Sequence, residues 1–171
     1  VKGEGKDIGK RYGVRGFPTL LILDGKGEEL DRITGFRPPD RFISAIKPIL
    51  AGKSYGALKK KADAEPKNLE IALELGKKEE ERRQYAKAEA LFKKVFESKD
   101  ASPALKESAE GRLALLSFIK SRGRGTDDLY AYFEKKKGTA SVVDHARMLM
   151  QAYQDGDDVA KVGAVGEFLV K

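Results

Sequence analysis

Tyr12-Gly13-Val14-Arg15-Gly16-Phe17-Pro18-Thr19, running straight into Leu20-Leu21-Ile22-Leu23, is the stretch that decides how this chain folds. Proline lacks an N–H and fixes φ, so beside a sheet it is confined to a strand's first residue, an edge or a bulge. Bonds to proline also reach the cis form far more easily than other peptide bonds, and a cis bond is usually a built-in tight bend. The segment therefore reads as a rigid loop that delivers a strand and leaves unpaired backbone groups facing outward, a loop able to hold something. The unbroken apolar run predicts a strand over 19–23 with both faces buried.

On either side the pattern stays regular. Residues 5–12 read as a short helix. Asp24-Gly25-Lys26-Gly27 reads as a hairpin turn, with Asp-Gly supplying the positive φ. Glu28 to Thr34 reads as the return strand, with Leu30 and Ile33 flanking Asp31 and Arg32. Gly35-Phe36-Arg37-Pro38-Pro39-Asp40 breaks it, and Asp40 is expected to N-cap a helix whose apolar stripe is Phe42, Ile43, Ile46, Ile49 and Leu50. The order is helix, strand, hairpin, strand, helix.

This order, with the Phe17-Pro18 bend, the Asp-Gly-Lys-Gly turn and Thr34-Gly35-Phe36 in register, resembles the second half of a thioredoxin-like domain over about residues 2–50. The lead-in Lys2-Gly3-Glu4-Gly5-Lys6-Asp7 resembles the same family. The resemblance implies that Pro18 is the family's cis-proline. It also implies that Phe17 offers its backbone to an extended peptide, a form of strand addition. Gly16, Phe17, Pro18 and Thr19 are thus the expected substrate-binding residues, Thr19 opening the strand. A purely structural role for Pro18 stays open, since the family keeps such a bend where chemistry is lost.

The departure from the family is as informative as the match. The family's first half carries Cys-x-x-Cys at a helix N-terminus, where a thiol's pKa falls and the thiolate attacks a disulfide. This chain has no cysteine. It is expected to be inactive in thiol–disulfide exchange on its own, with no catalytic residue, cofactor or metal assigned. The chain opens on Val1, which reads as a cut or fragmentary product. Without the first half, the edge of strand 19–23 is expected to be bare, and an uncovered apolar edge invites pairing. A domain swap, self-association or a separately supplied first half would cover it.

Beyond Gly52-Lys53-Ser54 the sequence reads as helical. Lys59–Ala64 is followed by a helix starting at Glu65-Pro66. Ala72, Leu75, Gly76, Ala88, Phe92 and Val95 then fall at spacings that suit an antiparallel pair, small residues allowing close approach while Leu75, Phe92 and Phe96 fill the space. This resembles one tetratricopeptide repeat. Helices are expected over Ser102–Lys120, Asp127–Lys136, Ser141–Tyr153 and Asp157–Val170. The fold class is an α+β segment, an incomplete thioredoxin-like fold over 1–50, joined to an all-α, tetratricopeptide-like domain over 51–171.

Composition limits the alternatives. The 171 residues carry a net charge of +7, with 40% hydrophobic and 36% charged residues, which suits a folded, well-solvated chain. The basic residues are interleaved with acids, as in Lys77-Lys78-Glu79-Glu80-Glu81-Arg82-Arg83, so the pattern argues against a nucleic-acid partner. No apolar run approaches the ~20 residues of a membrane span. His145 has no second histidine nearby and reads as solvated or satisfied. Asp155, Asp157 and Asp158 around Gly156 lack EF-hand spacing and read as an inter-helix turn. Arg122-Gly-Arg-Gly-Thr reads as a loop, because no strand precedes it as a P-loop requires. Lys135-Lys136-Lys137 reads as the complement of a helix dipole. Tyr130, Tyr132 and Phe133 read as core, with a peptide groove as the alternative.

Two functions follow. One is a portion of a thioredoxin-like thiol–disulfide oxidoreductase with a helical-repeat extension, its partners protein or peptide substrates. The other is a non-catalytic, peptide-binding or chaperone-like module in which the repeats recruit partners. The hairpin, Gly-Glu-Glu-Leu-Asp-Arg-Ile-Thr-Gly-Phe, resembles thioredoxin-like domains that work outside the cytoplasm, which leans toward a bacterial, periplasmic location over a cytoplasmic one.

Overall fold

Strands β1 (Thr19–Leu23) and β2 (Glu29–Thr34) pair antiparallel, Thr19 opposite Thr34 and Leu20 opposite Ile33, with a bulge at Ile22/Leu23. The computed structural model describes residues 3–137, 142–156 and 159–169. Expectations that touch Ser141, Asp157, Asp158 and Val170 lie outside them.

By packing, the chain forms two compact units, Val1–Leu91 and Phe92–Lys171. Helices α1 (Glu4–Arg11), α2 (Pro39–Leu50), α3 (Tyr55–Ala64) and α4 (Leu69–Glu81) belong with the hairpin in the first. The division falls inside α5 (Tyr85–Glu97). In outline, an α+β segment is followed by a region made of helices.

Several local expectations change in detail. The hairpin turn is longer than a two-residue Asp-Gly turn. Asp24 Oδ1 accepts from the N–H groups of Lys26 and Glu28 at 2.8 and 2.9 Å, and the positive φ falls at Gly27 (78°) instead of Gly25. At the head of α2, Pro39 occupies the first turn and Pro38 the cap position, so Asp40 lies inside the helix and caps nothing. Helix α3 begins at Tyr55, ahead of Lys59, because Ser54 Oγ accepts from Ala57 N at 3.3 Å. Helix α4 begins at Leu69 for the same reason, Asn68 Oδ1 accepting from Ile71 N at 3.2 Å.

β1 is not buried on both faces. Leu20 and Leu23 are exposed, and β2 is the only strand paired with β1 among the described residues. On α2 only Ile49 is buried; Ile43 is exposed, and Leu50 at 76% faces solvent. Leu20, Leu23, Ile43 and Leu50 thus stay open to solvent among the described residues, although the apolar run and the helix stripe predict burial. What β2 does gain is a lid of helix. α3 packs on β2 and on α4, close enough that a methyl at Gly56 would sit 3.7 Å from the Leu30 carbonyl oxygen.

Of the small and apolar positions expected around α4 and α5, Ala72, Leu75, Gly76, Ala88, Phe92 and Val95 are buried, whereas Phe96 is 41% exposed. Phe96 therefore does not fill the space assigned to it.

The second unit contains α6 (Pro103–Lys120), α7 (Asp127–Lys136), α8 (Val143–Asp155) and α9 (Val159–Leu169). Its core is built on Leu129, Phe133, Val142, Leu149 and Val165. Tyr132 and Phe133 are buried and Tyr130 packs against them, which is the core placement. Gly111 lets α6 approach that core: a Cβ there would lie 2.8 Å from the Tyr132 ring. His145 Nε2 lies 3.1 Å from the Gly111 carbonyl oxygen, its ring against Tyr132. Lys135 and Lys136 do more than offset a helix dipole, since they pair across to Glu110 and Glu107 on α6. Arg122 and Gly123, both at positive φ, form the turn after α6. No described helix is long and apolar enough to cross a membrane.

Candidate functional site

The loop between α1 and β1 is fixed at both ends and open in the middle. Val14 N donates to Gly9 O at 2.8 Å, which folds the chain back on the last turn of α1. Tyr12 Oη donates to Gly27 O at 2.7 Å and ties the loop to the hairpin turn. At the far end Thr19 Oγ1 donates to Gly16 O at 2.7 Å, and Gly35 N donates to Pro18 O at 2.9 Å. The Phe17–Pro18 peptide bond between these anchors is cis.

The four residues singled out from sequence thus come together at the start of β1, in different states. Gly16 and Thr19 are partly buried and spent on each other. Phe17 is 72% exposed and Pro18 is exposed. Among the described residues, neither the N–H nor the C=O of Phe17 has a hydrogen-bond partner. An exposed residue with both backbone groups free, beside an open strand edge, can pair with an extended chain.

No sequence motif marks the charged cluster beside the loop, built on Glu29, Arg32 and Arg82. Arg32, on β2, reaches back to donate from Nη2 to the Tyr12 carbonyl at 2.7 Å, and binds Glu29 through Nε and Nη2. Arg82, just past α4, places Nη1 2.6 Å from Glu29 Oε1 and stacks its guanidinium 4.0 Å over the Tyr55 ring. Burial pushes the Glu29 carboxyl up, but bonding and charge from Arg32 and Arg82 outweigh it and hold the group below its usual range. Burial, then the neighbouring Glu79 that accepts its hydrogen bond, pushes the Tyr55 hydroxyl up. Beside this cluster lies a cavity of about 200 Å³ whose wall includes Gly13, Gly16 and Thr19 from the loop and Arg82 to Gln84 from the α4–α5 turn.

The second buried feature is Asp31, 1% exposed on β2. Its Oδ2 accepts from Lys78 Nζ at 2.8 Å and from Tyr55 N, at the start of α3, at 3.1 Å. Its Oδ1 takes its neighbour's amide, Arg32 N, at 2.8 Å. One carboxylate thereby caps α3 and clamps α4 to the sheet.

Comparison with known proteins finds a likeness confined to the first part of the chain. Residues 2–49 match the family model of a thioredoxin-like domain. The match stops short of the helical region. A curated relative is a protein named protein disulfide-isomerase tigA from Aspergillus niger, 35% identical over 65 residues, which is 38% of this chain and 18% of that protein. The chain thus spans less than a fifth of the relative it matches. No solved structure matches significantly.

Proposed function

We propose that residues 1–50 are the substrate-holding part of a thioredoxin-like thiol–disulfide oxidoreductase or isomerase, with Gly16, Phe17, Pro18 and Thr19 as the peptide-binding loop. The observation that carries this reading is the exposed Phe17, both backbone groups free, inside a stretch that matches a thioredoxin-like domain. An extended peptide would donate an N–H to the Phe17 carbonyl and accept from the Phe17 N–H, adding a short strand at the loop. Thiolates must come from elsewhere, since the chain has no cysteine. The chain itself is a binding element, and redox chemistry belongs to a partner segment or protein.

The buried Ala72, Leu75, Gly76, Ala88, Phe92 and Val95 support reading the helical region as tetratricopeptide-like, a second surface for protein partners. The open edge of β1 suits pairing with one more strand, from a second copy or from a separate piece. Light scattering across a concentration series tests the first source, and an unchanging monomer mass counts against it.

The main test uses extended peptides and their N-methylated counterparts, with binding followed by NMR on the labelled chain. Binding that perturbs the Phe17 and Thr19 amides, and that N-methylation of the peptide abolishes, is expected. Binding indifferent to N-methylation, or mapped away from the loop, would overturn the assignment. The pure chain is also expected to show no turnover in insulin reduction.

A further inference from the structure

The cavity beside the peptide-binding loop has a charge that the peptide-binding reading does not use. Four arginines are among its lining residues, Arg15, Arg32, Arg82 and Arg83, against one acidic residue, Glu81. The Glu81 carboxylate is shared with other cations, its oxygens 3.7 Å from Arg37 and from Lys78. Glu29 serves both Arg32 and Arg82, so one negative charge answers two positive ones. Arg15 and Arg83 are exposed, and among the described residues neither side chain has a hydrogen-bond or ion-pair partner. Arg83 is also held at a positive φ of 59°, which places it at the tip of the α4–α5 turn. Gln84, an uncharged residue, belongs to the same wall.

Surplus positive charge around a concave site favours an anion, and guanidiniums match a carboxylate through paired N–H donors. The size narrows the ligand. About 200 Å³ is room for roughly six or seven waters, below the ~300 Å³ at which small-molecule pockets begin. A single acidic side chain fits that space. Gly16 and Thr19 are shared between the cavity and the loop, so a chain lying along Phe17 passes its mouth.

We infer that this cavity takes the carboxylate of an Asp or Glu side chain in the bound peptide, which makes the loop selective for acidic extended peptides. The inference rests on the peptide-binding role of the loop. Arg15 and Arg83 meet the carboxylate directly. Arg32 and Arg82, fixed by Glu29, set the potential beneath it.

The test is fluorescence anisotropy with three labelled peptides that differ only in whether Glu, Gln or Lys flanks the central extended residues. Each is measured at low and high salt on the wild-type chain and on Arg15→Gln, Arg83→Gln and the double variant. Both arginines are exposed and unpartnered, so the variants are expected to fold as wild type, and circular dichroism checks that. The Glu peptide is expected to bind most tightly, with its advantage shrinking at high salt. Each substitution should cost it about three- to tenfold in affinity and leave the Gln peptide unchanged. Equal binding of all three peptides, still abolished by N-methylation, overturns the acidic preference and leaves the loop's role intact. An advantage of the Glu peptide that survives the double variant also overturns it. Failure of every peptide to bind removes the loop's role and the preference together.

Discussion

Replacing Asp31 with alanine tests what holds the hairpin to its helices. The carboxylate is 1% exposed and its two oxygens accept three hydrogen bonds, from Lys78 Nζ, Tyr55 N and Arg32 N. Its loss leaves the first N–H of α3 without an acceptor and an ammonium, itself only 15% exposed, without its close partner. Glu81 at 3.7 Å compensates in part. Breaking a buried ion pair by removing one side costs about 3–5 kcal/mol, the orphaned amide accounting for ~1–3 of it. That is a large share of the ~5–15 kcal/mol that keeps a domain folded.

The assay must resolve the two packing units, since a chain with two units need not unfold in one step. Hydrogen exchange read peptide by peptide does so. Asp31→Ala is expected to accelerate exchange in β2, α3 and α4 by two or more orders of magnitude, with α7 and α8 unchanged. The double variant Asp31→Leu/Lys78→Met is expected to recover much of the loss, because a well-packed apolar pair replaces a buried ion pair at little cost. A change below ~0.5 kcal/mol in Asp31→Ala, the size of an ordinary surface substitution, would refute the reasoning. So would a double variant worse than the single.

Three further outcomes are expected. Gly111→Ala, normally worth up to ~1 kcal/mol to a helix, should instead lower the melting temperature of the second unit, because the added methyl meets the buried Tyr132 ring at 2.8 Å; unchanged or raised stability argues against a rigid ring there. Glu29, with its pKa held below the ordinary 4.5, contributes stability that is present above that value and lost as pH falls through the lowered folded pKa; acid titration by circular dichroism should show the loss, and Glu29→Gln should remove that component of it. Tyr12→Phe deletes the bond to Gly27 O and should cost about 1 kcal/mol, read as faster exchange in the hairpin turn, with no change there refuting the tie.

The local part of the fold was legible because its signals are local. Pro18 before an apolar run, Asp24-Gly25 between two runs and the paired prolines at the head of α2 each act within a few residues, and the structure has the same element order over this part. Differences arise where two local signals compete or a longer-range contact decides. Ser54 and Asn68 are capping residues in plain sight, yet each sits beside a residue pattern (Lys59–Ala64, Glu65-Pro66) that competes for the helix start. The run Leu20-Leu21-Ile22-Leu23 alone predicts burial of β1, but burial depends on what packs around the strand, and among the described residues β2 is the only strand beside it. Phe96 fell on a helical spacing that periodicity alone could not separate from the buried Phe92 and Val95.

At the candidate site, the loop was legible and its support was not. Gly16, Phe17, Pro18 and Thr19 are consecutive, so one motif names them all. The cluster beneath draws Arg32 from a strand and Arg82 from a helix end fifty residues on, and no spacing rule links them. One signal was available in β2. Strict alternation puts Glu29, Asp31 and Ile33 on one face and Leu30 on the other, and in the structure Asp31 and Ile33 are buried while Leu30 is 37% exposed. A strand that turns two carboxylates toward the same side as its most buried isoleucine requires cations opposite. Lys78 and Arg82, in a run whose pattern predicts a solvated helix face, are those cations. The charge run thus has two faces, one closing the hairpin from below and the other, through Arg83, left free beside the loop.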